Sequence, residues 1–524
     1  MSEDIGHECG VAALYWLDRP MGQEGAASQM VRDGNVAPLM PRMLLDLQNR
    51  GQLAAGMSTY SENRPNLIST FREIGTVAEA FRMSRPTEHA EIIKNLAGKG
   101  AIGHTRYATC GVESVLHAQP FERQHGRRWK WFSFAFNGQL ANFISLRDQL
   151  LAKESYHFTL NTDTEIIMHQ ISYQLRGDRR PNLAAVMRSL GQLFDGAYNL
   201  VFLNAMGELF VARDPMSFRP LCYSVQGRLF GAASESAALT NMGFTEIHNL
   251  EGGTMALIRD GRLNIHRFAQ QKRRSRCFFE WVYFANVASQ IDGASVYMAR
   301  SRSGERLAEL EDQPIGTDCI VVPVPDTAKA AADSFAYRLG IPSLEGLIRN
   351  RYVGRTFIQP SHSRMSAARS KYTPLPAVLE DKRVFLLEDS IVRSTTLASL
   401  VDHMRRRGRA REIHVRVACP PIIAPCFYGI DMSTLGELFA PKFVGDKYRG
   451  RLTKQMCERM AKALGVDSLR YLQVDDLGPC IQKEQHELCQ ACVIGRYPTN
   501  WGNRLIRRAR NNARVGQENV RTYE

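Results

Sequence analysis

Residues 384–396, VFLLEDSIVRSTT, constrain the fold more than any other stretch of this chain. The four consecutive apolar residues 384–387 are typical of a strand that is buried on both faces of a parallel sheet. Two acids, Glu388 and Asp389, follow directly. Because ligands of open α/β sheets bind beyond the carboxyl ends of the strands, these carboxylates are expected at the mouth of a site.

The loop that follows the acids has the composition of an anion site. Its hydroxyls come from Ser390, Ser394, Thr395 and Thr396, and a helix is predicted over 397–407. Backbone N–H groups at the start of a helix bind phosphate readily. The two carboxylates are suited to bind a sugar diol or Mg²⁺, and the loop after them is suited to bind phosphate. Together they indicate a site for a phosphorylated sugar. The plain alternative is a buried strand and a turn with two solvated acids.

The same string resembles the fingerprint of type I phosphoribosyltransferases, which bind 5-phosphoribosyl 1-diphosphate (PRPP), in the version found in glutamine amidophosphoribosyltransferases. Ser394 stands where that family usually has glycine. The resemblance implies that PRPP contacts seven residues here, namely Glu388, Asp389, Ser390, Arg393, Ser394, Thr395 and Thr396.

Length, charge and cysteine usage narrow the class of protein. A chain of 524 residues predicts two or three domains. The net charge of +14 favours anionic ligands such as phosphates, nucleic acid or an acidic partner. Residues 1–8 carry three acids and no apolar core, and no apolar span is long enough for a membrane helix, which predicts a cytoplasmic enzyme. Eleven cysteines in such a chain indicate reduced thiols with metal or catalytic uses.

Five motifs follow Cys9 in the first half of the chain. They are NRGQLAAG (49–56), GHTRYATCG (103–111), HAQPF (117–121), FNGQLANF (136–143) and NTDTE (161–165). Their order resembles that of amino-terminal-nucleophile glutaminases over roughly 9–268. The resemblance implies an αββα sandwich of two antiparallel sheets with helices outside.

The resemblance also implies roles for five residues. Cys9 becomes the nucleophile once residues 1–8 are removed, because the freed α-amine can then act as its base. Asn137 and Gly138 form the oxyanion hole. Arg106 pairs with the α-carboxylate of glutamine, and Asp163 holds its α-ammonium. Taken singly, these residues have plainer interpretations. Arg106 would form a surface ion pair, Asn137-Gly138 would be an ordinary turn pair, and Asp163 would be the N-cap of a helix that begins at residue 164.

Several residues around these motifs depart from the family pattern. The departures are Asn49, Leu53, Ala54, Phe136, Gln139, Met216 and Ser217. They are compatible with a divergent but active enzyme or with a paralogue that has a different function.

The second half begins after the basic run 271–276, QKRRSR. Apolar residues 320–324 predict a strand, followed by a loop at Asp326 and Thr327 and then a helix, which implies parallel βαβ units. By resemblance, Asp326, Thr327 and Lys329 bind the pyrophosphate of PRPP, and Thr327, Glu388 and Asp389 bind Mg²⁺. The resemblance adds a basic loop with Arg364, Arg369 and Lys371 that closes over the diphosphate.

Four cysteines give a separate signal. Cys277, Cys426, Cys489 and Cys492 match the ligands of a [4Fe-4S] cluster in one subgroup of the family, although thiolates alone do not distinguish this cluster from zinc. Apart from Cys9, the remaining cysteines are interpreted as packing residues, namely Cys110, Cys222, Cys319, Cys419, Cys457 and Cys480. The basic run near the carboxyl terminus predicts a solvated surface helix, with RNA binding as a minor alternative.

Together the residues and the resemblance predict a chain of two domains with a propeptide and a carboxyl-terminal tail. The divisions are a propeptide (1–8), a glutaminase domain (9–268), a type I phosphoribosyltransferase domain with a parallel sheet (269–475) and a tail with a CxxC pair (476–524). The predicted activity is glutamine-dependent formation of 5-phosphoribosylamine from PRPP, with an internal passage for ammonia. Purine nucleotides are expected as inhibitors and a tetramer as the assembly, with no membrane or nucleic acid partner. The alternatives are a glutaminase with another sugar phosphate acceptor, or a non-catalytic nucleotide-binding regulator.

Overall fold

The computed structural model describes residues 9–107, 114–153, 156–271, 273–350, 372–432, 434–445 and 448–522. Two antiparallel sheets occupy the first half of the chain and a parallel sheet occupies the second. Among the described residues, no helix is long and apolar enough to cross a membrane.

The first sheet has seven strands with Gly10–Trp16 at its centre. The strand order is His248–Asn249, Cys222–Gln226, Leu229–Ala233, Gly10–Trp16, Gly100–Arg106, Ala54–Tyr60 and Ile68–Ile74. Along the central strand, Ala12 and Leu14 face the outer helices, while Val11, Ala13 and Tyr15 face the second sheet. The run of apolar residues after Cys9 is explained by this burial on both faces.

The second sheet has six strands and packs against the first. Its order is Arg262–Arg267, Thr254–Arg259, Leu209–Arg213, Gly196–Asn204, Phe132–Leu140 and Phe121–Arg123. Val201 and Leu203 join the core between the sheets, whereas Leu200 and Phe202 point to the other side. A hairpin turn lies at Asp260-Gly261, a pair typical of such turns, with φ of +50° and +66°.

Helices cover the outer faces of both sheets. The first sheet is covered by Ala26–Gln29, Leu39–Leu45, Val77–Ala80, Pro86–Asn95 and Ser236–Asn241, and the second by Phe143–Leu151, Asp163–Gln174 and Leu183–Leu193. The αββα prediction is therefore confirmed. The second of the three helices on the second sheet has Thr162 as its N-cap, so the plainer interpretation of Asp163 as an N-cap is wrong. The Thr162 hydroxyl accepts the N–H of Glu165, so Asp163 begins the helix and its carboxylate remains available.

The parallel sheet has four strands, in the order Cys319–Pro323, Arg383–Glu388, Glu412–Val417 and Ser468–Tyr471. Its principal helices are Val296–Glu309, Lys329–Leu339, Thr395–Arg406 and Lys454–Leu464. Residues 384–387 are fully buried between two neighbouring strands, as their apolar run predicts. The helix expected over 397–407 begins two residues earlier, and the strand expected over 320–324 is shifted back by one residue.

Shorter elements complete the fold. The short strands are Arg276–Cys277, Gln290–Ile291, Ala294–Ser295, Leu347–Arg349, Tyr372–Pro374 and Leu488–Cys489. The single-turn helices are Val115–His117, Arg128–Lys130, Glu280–Phe284, Pro376–Leu379, Pro441–Val444, Val474–Asp476, Leu477–Ile481, Gln485–Glu487 and Ala491–Ile494, and the last helix is Asn500–Arg514. Arg276–Cys277 pairs in parallel with Leu488–Cys489, so the tail is joined to the start of the second half.

The two halves share a core and a buried charge network. Ala141, Ala197 and Phe218 of the first half pack into the large apolar cluster of the second. Arg50 is fully buried and donates to Glu235 at 2.6 Å and to Glu280 at 2.6 Å. Since removing one member of such a network leaves a buried charge uncompensated, these contacts fix how the halves meet.

Candidate active site

Cys9 lies directly before the central strand of the first sheet. Its thiol donates to the carbonyl oxygen of Tyr107 at 3.7 Å. Gly10 is paired with Thr105, so the sheet register places Arg106 beside Cys9. Both Arg106 and Asp163 act electrostatically on the thiol. The structure thus brings together the nucleophile and the two glutamine-binding residues that the sequence predicted, while residues 1–8 and Cys110 lie outside the described part of the chain.

The Cys9 thiol requires a base before it can attack. Burial raises its pKa, and the hydrogen bond to Tyr107 and the charge of Arg106 oppose that rise only in part. A thiol is a poor nucleophile until it loses its proton. The site therefore needs a proton acceptor close to the sulfur.

Asn137 and Gly138 lie side by side in the strand Phe132–Leu140. The Asn137 Nδ2 donates to Ser234 Oγ at 3.4 Å, and the same oxygen accepts the N–H of Val11 at 3.0 Å. Ser234 therefore ties the predicted oxyanion hole to the strand that begins at the nucleophile. The sequence did not single out Ser234, because a lone serine has no pattern that marks a functional role.

Gly138 occupies a position that admits no side chain. Its φ is +145°, and a Cβ there would lie 2.0 Å from the carbonyl oxygen of Ala197. Because only glycine fits, the Asn-Gly pair belongs to the strand and is not an ordinary turn, which corrects the plainer interpretation.

Asp163 is held at the start of its helix. Its Oδ2 accepts the N–H of Leu140 at 3.4 Å, and burial raises its pKa to about 6. Glu165 accepts the backbone N–H groups of Thr159, Leu160 and Asn161 at 2.7, 2.7 and 2.9 Å, which orders the chain before Asp163. At neutral pH Asp163 is mainly ionised, as binding of an ammonium group requires.

A cavity of about 610 Å³ opens beyond the carboxyl ends of the parallel strands. The predicted PRPP residues that line it are Asp326, Thr327, Lys329, Glu388, Asp389, Ser390, Arg393 and Thr396. Of the described candidates, Ser394 and Thr395 do not line it. Arg364, Arg369 and Lys371 lie outside the described residues. This cavity matches the site that the apolar run and the two acids predicted.

Oxygen ligands converge at one wall of this cavity. Asp389 is buried and accepts the hydroxyls of Thr327 and Ser390. Glu388 precedes it at the strand end and also lines the cavity. Carboxylates and a hydroxyl are suitable ligands for Mg²⁺, which binds through a few oxygens plus substrate phosphates.

The departure at Ser394 is compatible with the backbone. Ser394 is the N-cap of its helix with φ of −96°, an ordinary value for any residue. Glycine is therefore not needed there for a left-handed conformation. Opposite, Lys329 pairs with Glu345 at 3.1 Å and Asp326 pairs with Arg349, so both loop residues have partners.

Residues from the first half also line the cavity. Asn49 and Gln52 of the NRGQ motif form part of the wall, next to the segment 283–287 at the start of the second half. The sequence had assigned this motif to the glutamine site alone. No local signal distinguishes the two roles, because the contact depends on how the halves pack.

The four predicted cluster cysteines surround a second, smaller cavity. Cys277, Cys426, Cys489 and Cys492 line it together with Phe218, Arg219 and Tyr428. Burial raises the pKa of Cys277 to about 11 and raises the pKa values of Cys489 and Cys492 further. Among the described residues, no three His, Cys, Asp or Glu side chains are grouped to hold one metal ion. Four thiols around one cavity suit either a [4Fe-4S] cluster or a zinc ion by their chemistry alone, so the choice between the two stays a prediction.

Comparison with known proteins connects both halves of the chain to one family. A family model described as a glutamine amidotransferase domain matches residues 76–259. An amidophosphoribosyltransferase of Methanothermobacter thermautotrophicus is 37% identical over 499 residues, covering 95% of each chain. One of Bacillus subtilis is 36% identical over 502 residues, covering 94% of this chain and 95% of the relative.

Solved structures give the same result. The glutamine PRPP amidotransferase of B. subtilis, complexed with ADP and GMP, matches 94% of this chain and 98% of its own. Its TM-score is 0.77 at 33% identity. A structure described as the allosteric regulatory enzyme of purine biosynthesis matches with a TM-score of 0.78, also at 33% identity, over 94% of this chain and 96% of its own.

Proposed function

This chain belongs to the amidophosphoribosyltransferase family, and from that premise we propose which of its residues perform each step of the reaction. The reaction converts PRPP, glutamine and water to 5-phosphoribosylamine, pyrophosphate and glutamate, the first step of purine synthesis. The observation that supports the residue assignment most directly is the spatial arrangement. Cys9, Arg106 and Asp163 meet at one site, and the predicted PRPP residues meet at a second.

At the first site, glutamine is held by its two charged α-substituents. The Arg106 guanidinium pairs with the α-carboxylate, and the Asp163 carboxylate accepts from the α-ammonium. The side-chain amide is thereby directed at Cys9. Removal of residues 1–8 would leave the α-amine of Cys9 beside its own sulfur as the required base.

The chemistry at Cys9 then proceeds in two stages. The α-amine takes the thiol proton, the sulfur attacks the amide carbon, and the oxyanion is stabilised by Asn137 Nδ2 and the N–H of Gly138. Collapse of this intermediate breaks the C–N bond, and the proton held by the amine leaves with ammonia. Water then hydrolyses the thioester to glutamate and restores the thiol.

At the second site, backbone N–H groups and hydroxyls of 390–396 bind the 5-phosphate, and the loop with Asp326, Thr327 and Lys329 faces the diphosphate. Mg²⁺ held by Thr327, Glu388 and Asp389 would neutralise charge on the departing pyrophosphate. Ammonia attacks carbon 1 of the ribose as the bond to pyrophosphate breaks. The basic residues Arg364, Arg369 and Lys371 are proposed to cover the diphosphate and exclude water.

The thiol cavity is proposed to hold a [4Fe-4S] cluster that joins the tail to the body. Four thiolates are the ligand set of such clusters, and the raised pKa values of Cys277, Cys489 and Cys492 mean that these three thiols stay protonated without one. Replacement of Cys426 by serine should remove bound iron and sulfide together and lower the thermal midpoint. Zinc found in place of iron and sulfide would contradict the assignment.

Regulation, assembly and location complete the proposal. Since the solved B. subtilis relative is complexed with ADP and GMP, purine nucleotides are proposed to inhibit this enzyme as well. A tetramer in the cytoplasm is the expected form. Inhibition by ADP plus GMP and the mass of the assembly in solution are direct tests.

The decisive experiment supplies purified protein with PRPP, Mg²⁺ and either glutamine or ammonium. Equal yields of glutamate and pyrophosphate are expected with glutamine. Cys9→Ala should abolish the glutamine-supported reaction and retain the ammonium-supported one, whereas Cys222→Ala, which changes a buried thiol of the same half, should retain both. Glutamate without pyrophosphate would indicate another acceptor, and neither product would indicate a non-catalytic regulator.

A further inference from the structure

One short segment of the first half contacts both candidate sites. Gly51 lies against the backbone of Arg106, where a Cβ would come within 2.5 Å of the carbonyl carbon. Leu53 donates its N–H to the Arg106 carbonyl oxygen at 3.0 Å. Asn49 and Gln52 of the same segment line the phosphoribosyl cavity. The segment 49–53 therefore separates the glutamine site from the acceptor cavity.

Asn49 is fixed in one orientation. Its Nδ2 donates to Glu235 Oε1 at 2.7 Å and to the carbonyl oxygen of Phe284 at 3.1 Å. Both partners are acceptors, so a flipped amide would lose both hydrogen bonds. The Oδ1 atom is buried and has no hydrogen-bond partner among the described residues. A residue that lines the phosphoribosyl cavity thus holds a buried acceptor that still requires an N–H donor.

The unpaired acceptor at Asn49 is a neutral amide oxygen, and the carboxylate beside it, Glu235, is already paired. Glu235 also accepts from Arg50 Nε at 2.6 Å, from Asn286 N at 2.7 Å and from Ser289 Oγ at 2.9 Å. Both carboxylate oxygens of Glu235 therefore already accept two hydrogen bonds each. A free carboxylate in this place would favour ammonium over ammonia, and ammonium has no lone pair for attack. A neutral amide oxygen binds an N–H group without that bias.

We propose that Asn49 is a positioning residue for ammonia transfer, with its Oδ1 accepting an N–H of ammonia as it moves from the glutamine site into the phosphoribosyl cavity. The contact is a hydrogen bond, so no covalent bond changes and the lone pair of nitrogen stays free for the ribose. The inference rests on the proposed function and adds a residue to it. By resemblance the family usually has histidine here, whose neutral ring also contains one acceptor nitrogen.

The test uses glutamine labelled with ¹⁵N in its amide, with unlabelled ammonium in the buffer. The parent enzyme should transfer mainly ¹⁵N to phosphoribosylamine, because its ammonia does not exchange with solvent. Asn49→Leu should lower the labelled fraction by about threefold or more and release ¹⁵N-ammonia. Asn49→His should restore most of the label.

A control variant shows whether the loss of label is specific to Asn49. Asn241→Leu removes an exposed amide of the same half that donates to Asp46 at 2.8 Å, and it should leave labelling unchanged. Ammonium-supported synthesis is measured for every variant. An equal fall in ammonium-supported and glutamine-supported synthesis, or full label in Asn49→Leu, would overturn the inference.

Two further outcomes separate the inference from folding and from the proposed function. If Asn49→Leu does not fold, Asn49→Ala is used, with the same expected loss of label. If the parent enzyme makes no phosphoribosylamine from either nitrogen source, the proposed function fails, and this failure is recognised before any Asn49 variant is compared.

Discussion

Gln139 accepts a hydrogen bond from the backbone N–H of Gly429 at 3.1 Å, although the two residues are 290 positions apart. Gln139 follows the predicted oxyanion-hole residues, and Gly429 follows Tyr428, which lines the thiol cavity. The same glycine lies against Gly138, so that a Cβ on Gly429 would come within 3.1 Å of its carbonyl carbon. The position of the oxyanion hole is therefore set partly by the second half of the chain.

Replacement of Gly429 by alanine should impair glutamine hydrolysis. The new methyl group pushes on Gly138, and displacement of one oxyanion donor is expected to lower kcat by about 10- to 100-fold. The rate of glutamate release under saturating glutamine measures the effect. Gly340→Ala is the control, because Gly340 also has a positive φ but no described atom lies within 4 Å of its added Cβ. A comparable loss in both variants would show that backbone strain alone is responsible.

The pH dependence of glutamine hydrolysis should reflect Asp163. Burial raises its pKa to about 6, so the carboxylate that binds the α-ammonium is lost as the pH falls through that value. We expect kcat/KM for glutamine to decline about tenfold per pH unit below about 6, since this parameter reports groups of the free enzyme. Asp163→Asn should lower kcat/KM at neutral pH and remove the decline. A decline that persists in this variant would assign it to another group.

Ser217, one of the departures from the family pattern, should carry backbone strain. Its φ is +57°, a left-handed value, and its hydroxyl accepts from Gln271 at 2.8 Å. Ser217→Gly and Ser217→Ala both lose this hydrogen bond, but only glycine relieves the strain. We expect Ser217→Gly to be more stable than Ser217→Ala by about 1 kcal/mol in free energy of unfolding, after allowance for the entropy of glycine in the unfolded chain. Paired thermal midpoints test this, and an alanine variant of equal stability would contradict it.

The sequence predicts best what is determined locally. Residues 384–387 give a buried strand because they need apolar neighbours on both faces, and Asp260-Gly261 gives a hairpin because both residues tolerate positive φ. The plainer interpretation of Asp163 as an N-cap was wrong, since Thr162 and Asp163 are both good caps and only the packed helix shows which one is used. Boundaries shifted by one or two residues have the same origin.

Contacts between the halves could not be predicted from local pattern. Asn49 reaches the phosphoribosyl cavity, and Gln139 reaches Gly429, only after two separately recognisable domains have packed together. Neither residue has a spacing or periodicity that marks an interface. Both are departures from the family pattern, which was the only signal that these positions differ from those of relatives.

Asp292 forms a buried ion-pair network at this junction that can be tested by a single substitution. Its carboxylate is buried and accepts from Arg213 at 2.9 Å through both oxygens and from Arg276 at 2.8 Å. Burial alone raises its pKa, but the two guanidinium groups outweigh burial and hold that pKa far below its usual range. A depressed folded-state pKa contributes stability above the unfolded-state value of about 4, and this contribution is lost as the pH falls further.

Asp292→Asn should therefore destabilise the protein by about 3 kcal/mol at pH 7, because Arg213 and Arg276 both lose a buried carboxylate partner, although Arg276 keeps its pair with Glu487. Asp260→Asn provides a matched control, since Asp260 also has a positive φ and arginine partners but is 72% exposed. Its expected cost is below about 1 kcal/mol, as for other exposed ion pairs. Thermal midpoints of both variants at pH 7 and pH 4 provide the comparison. The gap between them should narrow at the lower pH as the unfolded-state carboxyl takes up its proton, and an equal effect of the two substitutions at pH 7 would show that burial adds nothing to this pair.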